Sequence, residues 1–348
     1  MSPPVPSTKV EPSAAAEQIA HGTWCIPVPM PGHSFGEVNV YVLETEDGLV
    51  LIDTPWGTPE AVAHLEAGIA HTGHAVADVR LVLLTHYHED HSGAAGSFSV
   101  HHGAEVVMHA ADAACYERRF GGSAAFAEAI DEWADVTGAD DAARRSYHDQ
   151  FRELSGYAIA VDVGRPVLGG ETLVHGGREI RVVHTPGHTP GSTSYLDVST
   201  GFVFSGDHVF DRRRSNAVSR PYNVDRPIAT YWESCRLLET LSPVRVYPGH
   251  GGPILDLDAR FRYLEDVCRR KLAEVVALAE TRTAWAVAQR VKRRSPWGQL
   301  DANAKLAATG EALAYLKEAH DAGAVRRIAG VPARWEAVQG DTRGNEHQ

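Results

Sequence analysis

The sequence predicts a layered α/β fold, and three observations support this class. Short apolar runs with the composition of buried strands recur along the chain, as in VRLVLL at residues 79–84. Segments with helical spacing follow them, as in TPEAVAHLEAGIAHTG at 58–73. A second group of strand signals begins near residue 171 and ends in the same alternation. Strands that alternate with helices pack as sheets covered by helices.

In the first half of the chain, the apolar runs at 37–44 and 48–54 flank the turn residues TEDG and predict a β-hairpin. The helix at 58–73 and the strand at 79–84 come next. The small-residue segment SGAAGSFSVHHG predicts a further helix, and AEVVMH at 104–109 predicts a strand.

Residues from about 110 to 155 are rich in alanine and charged residues, and we interpret them as helices inserted between two β-rich halves. The second half contains four predicted strands, a helix and a last strand. They lie at 171–177, 178–185, 192–199, 201–207, 226–242 and 244–249.

The C-terminal part changes to helical patterns and then to two short strands around a turn at 324–338. Three helices and a β-hairpin is the order of a winged helix-turn-helix. The sequence therefore predicts a flexible tail (1–20), a main domain (21–265), a winged-helix-like domain (266–340) and a second tail (341–348).

Composition narrows the class of partner. The 348 residues carry a formal net charge of -12, which argues against broad binding to nucleic acid or an anionic membrane. No apolar stretch approaches the ~18 residues of a membrane span. The four cysteines lie far apart, which predicts reduced thiols and a cytoplasmic location. A small-molecule substrate fits best, and a homo-oligomer stays open.

The segment THYHEDHSG, residues 85–93, concentrates metal-ligand side chains in a loop after a buried strand. In such a loop His86 and His88 can converge on one ion while Asp90 and His91 turn toward a second. Three other strand ends each offer one more ligand: His188, Asp207 and His250. Imidazole and carboxylate are the donors that Zn²⁺ prefers, with Fe or Mn as alternatives.

This combination resembles the metallo-β-lactamase superfamily over roughly residues 21–265. The resemblance implies an αββα sandwich with two Zn²⁺ at one edge. It implies that His86, His88 and His188 hold the first metal, that Asp90, His91 and His250 hold the second, and that Asp207 bridges both. No cysteine stands at a ligand position, so antibiotic hydrolysis is not expected. The C-terminal part resembles the branch that contains the lactamase-β-like endoribonuclease.

The predicted function is a metal-dependent hydrolase in which a hydroxide between the two metals attacks a small ester, thioester or lactone. Asp90 would orient this hydroxide and pass its proton to the leaving group. One alternative is an endoribonuclease or phosphodiesterase, suggested by the C-terminal part and by RVKRR at 290–294. The others are a non-hydrolytic iron-dependent oxidoreductase and a metal-binding regulator of DNA.

Further residues are expected around the metals. Asp53 would support the ligand loops from behind, or be a simple turn residue. His33, with Phe35, would form a flap over the metals. Asn216 and Tyr222 would face the substrate, and Arg212–Arg214 would bind an anionic group, unless this segment is a solvated loop.

Overall fold

Two β-sheets pack face to face, and helices cover both outer faces. The computed structural model describes residues 16–121, 124–213, 217–223 and 225–338. A shared apolar layer joins the two sheets, and two further clusters join each sheet to its own helices. The predicted αββα sandwich is therefore confirmed.

The first sheet has seven strands in chain order. They are β1 (Glu17–Ala20), β2 (Thr23–Pro29), β3 (Glu37–Thr45), β4 (Gly48–Ile52), β5 (Val79–Leu83), β6 (Glu105–His109) and β7 (Arg165–Val167). The strands from β1 to β4 are antiparallel, and those from β4 to β7 are parallel.

The second sheet has five strands in the order β12-β11-β10-β9-β8. They are β8 (Thr172–His175), β9 (Arg178–His184), β10 (Thr193–Asp197), β11 (Phe202–Gly206) and β12 (Arg245–Pro248). Only β11 and β12 are parallel neighbours.

Strand β3 shows why both faces of a sheet are apolar. Val40 and Val42 face the helices, and Tyr41 and Leu43 face the second sheet. All four are buried. Because successive side chains of a strand point to opposite faces, a strand between two layers needs an unbroken apolar run.

Ten helices complete the described part of the chain. They are α1 (Pro59–His71), α2 (Glu89–Ser92), α3 (Ala95–His102), α4 (Ala110–Phe120), α5 (Ala125–Thr137), α6 (Asp141–Ser155), α7 (Pro227–Thr240), α8 (Leu257–Leu278), α9 (Ala284–Ala288) and α10 (Ala302–Asp321). Side chains cap several helix starts: Asp256, Thr283 and Asp301 each accept a backbone N–H of the first turn. None of these helices combines the length and apolar composition that a membrane crossing needs.

Two boundaries differ from the prediction. The sequence predicts an N-terminal tail to residue 20, but Glu17–Ala20 form β1 and pair with β2. The prediction of a tail there is wrong because an edge strand needs only backbone hydrogen bonds and carries little apolar signal. Strand β2 was not predicted because Pro27 and Pro29 weaken a strand pattern. Strand β7 was missed too.

The predicted division at residue 266 falls inside α8. This correction has a clear cause, since the C-terminal helices share a core with the second sheet. Leu313 and Leu316 of α10 belong to the same buried cluster as Val203 of β11 and Leu238 of α7. The short hairpin β13 (Val325–Ile328) and β14 (Arg334–Ala337) follows α10 in the predicted order. A winged-helix role stays a prediction, and residues 341–348 lie outside the described part.

Candidate metal centre

Every predicted metal ligand follows the C-terminal end of a strand, and the two sheets bring these ends to one edge. The segment His86–His91 follows β5, and His188 follows β9. Asp207 follows β11 and His250 follows β12. Such strand-end loops are where ligands collect in α/β sheets.

The first group consists of His86, His88 and His188. Nδ1 of His88 lies 3.0 Å from Nε2 of His86 and 2.9 Å from Nε2 of His188. All three rings are buried. Three imidazole nitrogens that converge this closely form one half of a metal site.

The second group consists of Asp90, His91 and His250. Nε2 of His91 and Nε2 of His250 lie 3.3 Å apart. Oδ2 of Asp90 lies 3.4 Å from Nε2 of His250 and 3.8 Å from Nε2 of His91. The structure thus places these side chains as the sequence predicts for a second ion.

Asp207 lies between the groups. Its Oδ1 is 3.2 Å from Nε2 of His91 and 3.5 Å from Nε2 of His250, and its Oδ2 is 3.8 Å from Nε2 of His188. Oδ1 is buried and has no hydrogen-bond partner among the described residues. A buried carboxylate oxygen aimed at ring nitrogens without a hydrogen bond fits a cation between them.

The outward nitrogens of two ligand rings are held by acceptors. Nδ1 of His250 donates to the carbonyl of Glu37 at 2.5 Å. Nδ1 of His91 donates to Oδ2 of Asp53 at 2.8 Å. A carbonyl can only accept, so the proton of His250 sits on Nδ1 and the lone pair of Nε2 points inward. This arrangement is typical of metal-binding histidines.

Asp53 joins both halves of the site. Its Oδ1 accepts from the backbone N–H of Thr85 at 2.7 Å, and its Oδ2 accepts from Oγ1 of Thr85 at 2.8 Å. Oγ1 of Thr85 in turn lies 3.0 Å from Nδ1 of His86. The backbone of Asp53 has φ 63, a left-handed conformation that Asp tolerates. Asp53 therefore orients a ring in each half.

Charge in the cluster favours a cation. Burial lowers the pKa of His91, but Asp207, Asp90 and Asp53 together raise that pKa well above its ordinary value. Burial and the neighbouring His91 and His88 hold the pKa of His86 well below its ordinary value. The carboxylates thus attract positive charge, while neutral imidazoles offer lone pairs.

Two tight approaches explain glycines at the strand ends. A Cβ on Gly249 would lie 2.5 Å from Cε1 of His91 and 2.9 Å from Oδ1 of Asp207. A Cβ on Gly206, which has φ 50, would lie 2.3 Å from Oγ1 of Thr85. Larger side chains at either position would displace the ligands.

Asp112 of α4 ties two ligand loops together and was missed in the sequence. Its Oδ2 accepts from the backbone N–H of Tyr87 at 3.1 Å and from Oγ1 of Thr189 at 2.7 Å. Its Oδ1 accepts from the N–H of Gly191 at 2.6 Å. Burial raises the pKa of Asp112 to about 7. In the sequence it is only an acid in the first turn of a helix.

A cavity of about 950 Å³ opens onto the ligands and extends to the C-terminal segment. His33 and Phe35 line it, as the predicted flap requires. The ring of Phe35 stacks on His250 with centroids 4.2 Å apart. Arg213 also lines the cavity and lies over Phe35 at 4.6 Å.

Tyr222 does not reach this cavity. Its hydroxyl donates to the carbonyl of Ala125, its ring packs 5.4 Å from Phe126, and Arg118 lies over it at 5.1 Å. Packing against the helical insert therefore turns the side chain away, and the predicted substrate contact is wrong. Asn216 and Arg214 lie outside the described residues, while Arg212 lines the cavity.

Charged residues of the cavity wall were also missed. Nη2 of Arg119 lies 2.7 Å from Oε2 of Glu89, and both side chains are buried. Arg220 lines the same wall without such a partner among the described residues. Neither arginine lies in a motif, so the sequence offered no signal for them.

With this geometry in place, similarity to known proteins assigns the family. A sequence model of the metallo-β-lactamase superfamily matches residues 33–250, more than half of the chain. The chain belongs to the metallo-β-lactamase superfamily. The sequence-based assignment is confirmed, as is the prediction of a hydrolase of this fold.

Individual superfamily members resemble much of the chain. A probable metallo-hydrolase, YqjP of Bacillus subtilis (strain 168), is 27% identical over 76% of this chain and 83% of its own length. The acyl-coenzyme A thioesterase MBLAC2 of Gallus gallus is 28% identical over 62% of this chain and 73% of its own length. The chain spans only 54% of a 25% identical thioesterase of Emericella nidulans.

One solved structure of the superfamily covers the C-terminal segment as well. The metallo-β-lactamase family protein TTHA1429 from Thermus thermophilus superposes with a TM-score of 0.81 at 28% identity. The match spans 92% of this chain and all of that chain. Helices α8 to α10 are thus part of a shared architecture.

Proposed function

We propose that this chain is a metal-dependent thioesterase that hydrolyses acyl-coenzyme A thioesters. One observation carries the proposal: a single cavity connects the metal ligands with a cationic wall from the C-terminal segment. The thioesterases among its relatives support the reaction type. A volume of about 950 Å³ is at the upper end for ligand pockets, which suits a long substrate.

The cationic wall fits a phosphate-bearing carrier. Lys271, Lys292, Arg293 and Arg294 line the cavity in a chain whose net charge is -12. Lys271 is partly neutralised, because its Nζ lies 3.2 Å from Oε2 of Glu274. Lys292 and Arg294 are exposed, and no ion pair is found for them within the described residues. Arginine and lysine are the usual partners of phosphate oxygens.

The donor set favours two Zn²⁺, with Fe or Mn as alternatives. Five imidazoles and two carboxylates are nitrogen-rich ligands of borderline softness. When bound, such cations lower the pKa of a coordinated water and polarise a carbonyl.

Hydrolysis adds the oxygen of water to the thioester carbonyl carbon and breaks the C–S bond. The products are a carboxylic acid and the free thiol of the carrier. Asp90 lines the cavity, so its carboxylate can accept a proton from the attacking water. It can return that proton to the departing sulfur. Burial raises the pKa of Asp90, but His91 and His250 outweigh it and hold this pKa well below its ordinary value, which keeps the carboxylate ionised.

His33 contacts the substrate in this proposal. Its ring lies edge-on to Trp56 with centroids 6.0 Å apart, and both residues line the cavity. Burial is the largest effect on His33 and lowers its pKa, so the ring is neutral near pH 7. A neutral ring can donate one hydrogen bond to the acyl carbonyl without adding charge.

The test is a hydrolysis screen with zinc-loaded protein. Rates are measured on acyl-CoA thioesters of several chain lengths, on the matching acyl-pantetheines without phosphates, on lactones and on RNA. We expect turnover of acyl-CoA with a lower KM than for acyl-pantetheine. Cleavage of RNA or lactones with intact thioesters would reject the proposal. Metal analysis of the protein as purified tests the iron-dependent alternative.

A further inference from the structure

Arg220 stands out among the buried arginines of the described chain. Arg119 has Glu89 at 2.7 Å, and Arg178 has Asp197 at 2.7 Å. Arg220 is half-buried in the cavity wall. Its Nε is buried without a hydrogen-bond partner, and no carboxylate of the described residues lies within ion-pair distance.

The backbone around Arg220 is held firmly. The N–H of Ser219 donates to the carbonyl of Gly310 at 3.1 Å, and Nε1 of Trp133 donates to the carbonyl of Ser219 at 3.1 Å. Nδ2 of Asn223 donates to the carbonyls of His188 and Val218 at 3.0 and 2.7 Å. Arg220 is therefore fixed relative to a metal ligand, as a binding residue requires.

The nearby acids already have partners. Burial, the largest effect, lowers the pKa of Arg220, and the charges of Glu89 and Asp90 act on it only from beyond ion-pair distance. Glu89 contacts Arg119, and Asp90 faces His250. A guanidinium stays charged in proteins, and leaving it unpaired in a partly desolvated wall is unfavourable. An anionic ligand would remove this penalty.

We propose that Arg220 binds a carboxylate on the acyl group of the substrate, so that dicarboxylic acyl thioesters are preferred. This inference rests on the proposed thioesterase function. The phosphates of the carrier have their own cations at the C-terminal wall, whereas Arg220 shares its wall with His88 and Asp90 at the metal end. A guanidinium matches a carboxylate with two parallel hydrogen bonds.

The test compares two four-carbon substrates, succinyl-CoA and butyryl-CoA, which differ by one carboxylate. We expect wild-type kcat/KM to be roughly tenfold to hundredfold higher for succinyl-CoA, as one charge-assisted interaction allows. Arg220→Gln should abolish this preference by lowering succinyl-CoA turnover while butyryl-CoA turnover changes little. Arg220→Lys should restore part of it. Arg236→Gln, on the exposed face of α7, removes a charge away from the cavity and should leave the preference intact.

A binding measurement separates this inference from the thioesterase proposal. Calorimetry with succinate and butyrate should show stronger succinate binding to wild type than to Arg220→Gln. If no thioester is hydrolysed but this difference is seen, the thioesterase proposal fails and the anion site stands. Equal wild-type rates on both thioesters would overturn the inference while thioesterase activity stands. An equal loss on both thioesters in Arg220→Gln would also overturn it.

Discussion

Asp53 accepts a hydrogen bond from His91, with 2.8 Å between Oδ2 and Nδ1, and the same oxygen accepts from Oγ1 of Thr85. Through Thr85 it also reaches His86. One carboxylate behind the loops therefore sets ring orientation in both metal groups.

Replacing this carboxylate should weaken metal binding without unfolding the protein. Asn tolerates the left-handed backbone of residue 53, so Asp53→Asn avoids backbone strain. We expect metal affinity to fall roughly 10- to 100-fold, as for other residues that support a ligand. Competition with a chromophoric chelator measures this. Asp47→Asn in the exposed turn should leave affinity unchanged, and unaltered affinity in Asp53→Asn would contradict the role.

Asp207→Ala should have a larger effect, because the predicted bridging carboxylate would be lost. Metal content should fall below two ions per chain, and turnover should drop by more than the roughly 100-fold expected for a supporting residue. Elemental analysis and thioester hydrolysis report the two effects. Asp149→Ala, on an exposed part of α6, is the matched control. Full turnover in Asp207→Ala would exclude the bridge.

Asp112→Ala should destabilise the two ligand loops that it connects. Its loss leaves the buried N–H groups of Tyr87 and Gly191 without acceptors, at a cost of about 1–3 kcal/mol each. Urea unfolding should show this loss, and metal affinity should fall with it. Asp141→Ala in the first turn of α6 removes an exposed acid and should change neither quantity. Wild-type stability in Asp112→Ala would show that the loops hold without it.

Leu316→Ala tests whether the C-terminal segment belongs to the main core. Leu316 is fully buried in the cluster that joins α10 to the second sheet. Truncation should lower the free energy of unfolding by about 2–5 kcal/mol. Leu237, 42% exposed on α7, is the control and should cost less than about 0.5 kcal/mol. A separate early unfolding transition would instead indicate an independent domain.

Lys292→Ala combined with Arg294→Ala tests the cationic wall. The KM for acyl-CoA should rise roughly five- to tenfold, since exposed charge pairs are worth about 1 kcal/mol or less each. The KM for acyl-pantetheine should not change, and the difference should shrink as salt is added. The pair Arg269→Ala and Arg270→Ala, outside the cavity lining, controls for net charge. Equal effects on both substrates would argue against phosphate binding.

The sequence by itself determined the strands, most helices and the identity of the seven ligand side chains. These features are local: apolar runs mark strands buried on both faces, and a ligand after each strand end must lie at a sheet edge. The αββα layering followed from the same alternation and from the resemblance that the ligand motifs carry.

Only the tertiary structure decided which residues surround those ligands. Asp112 and Arg220 are distant in sequence from the metal motif, and each acts through contacts that folding creates. Tyr222 follows Asp207 closely in sequence, yet packing on Phe126 turns it away. The C-terminal boundary was missed for the same reason, because Leu313 and Leu316 are buried by residues from the other half of the chain. Local pattern fixes an element, while burial and pairing between distant segments fix a site.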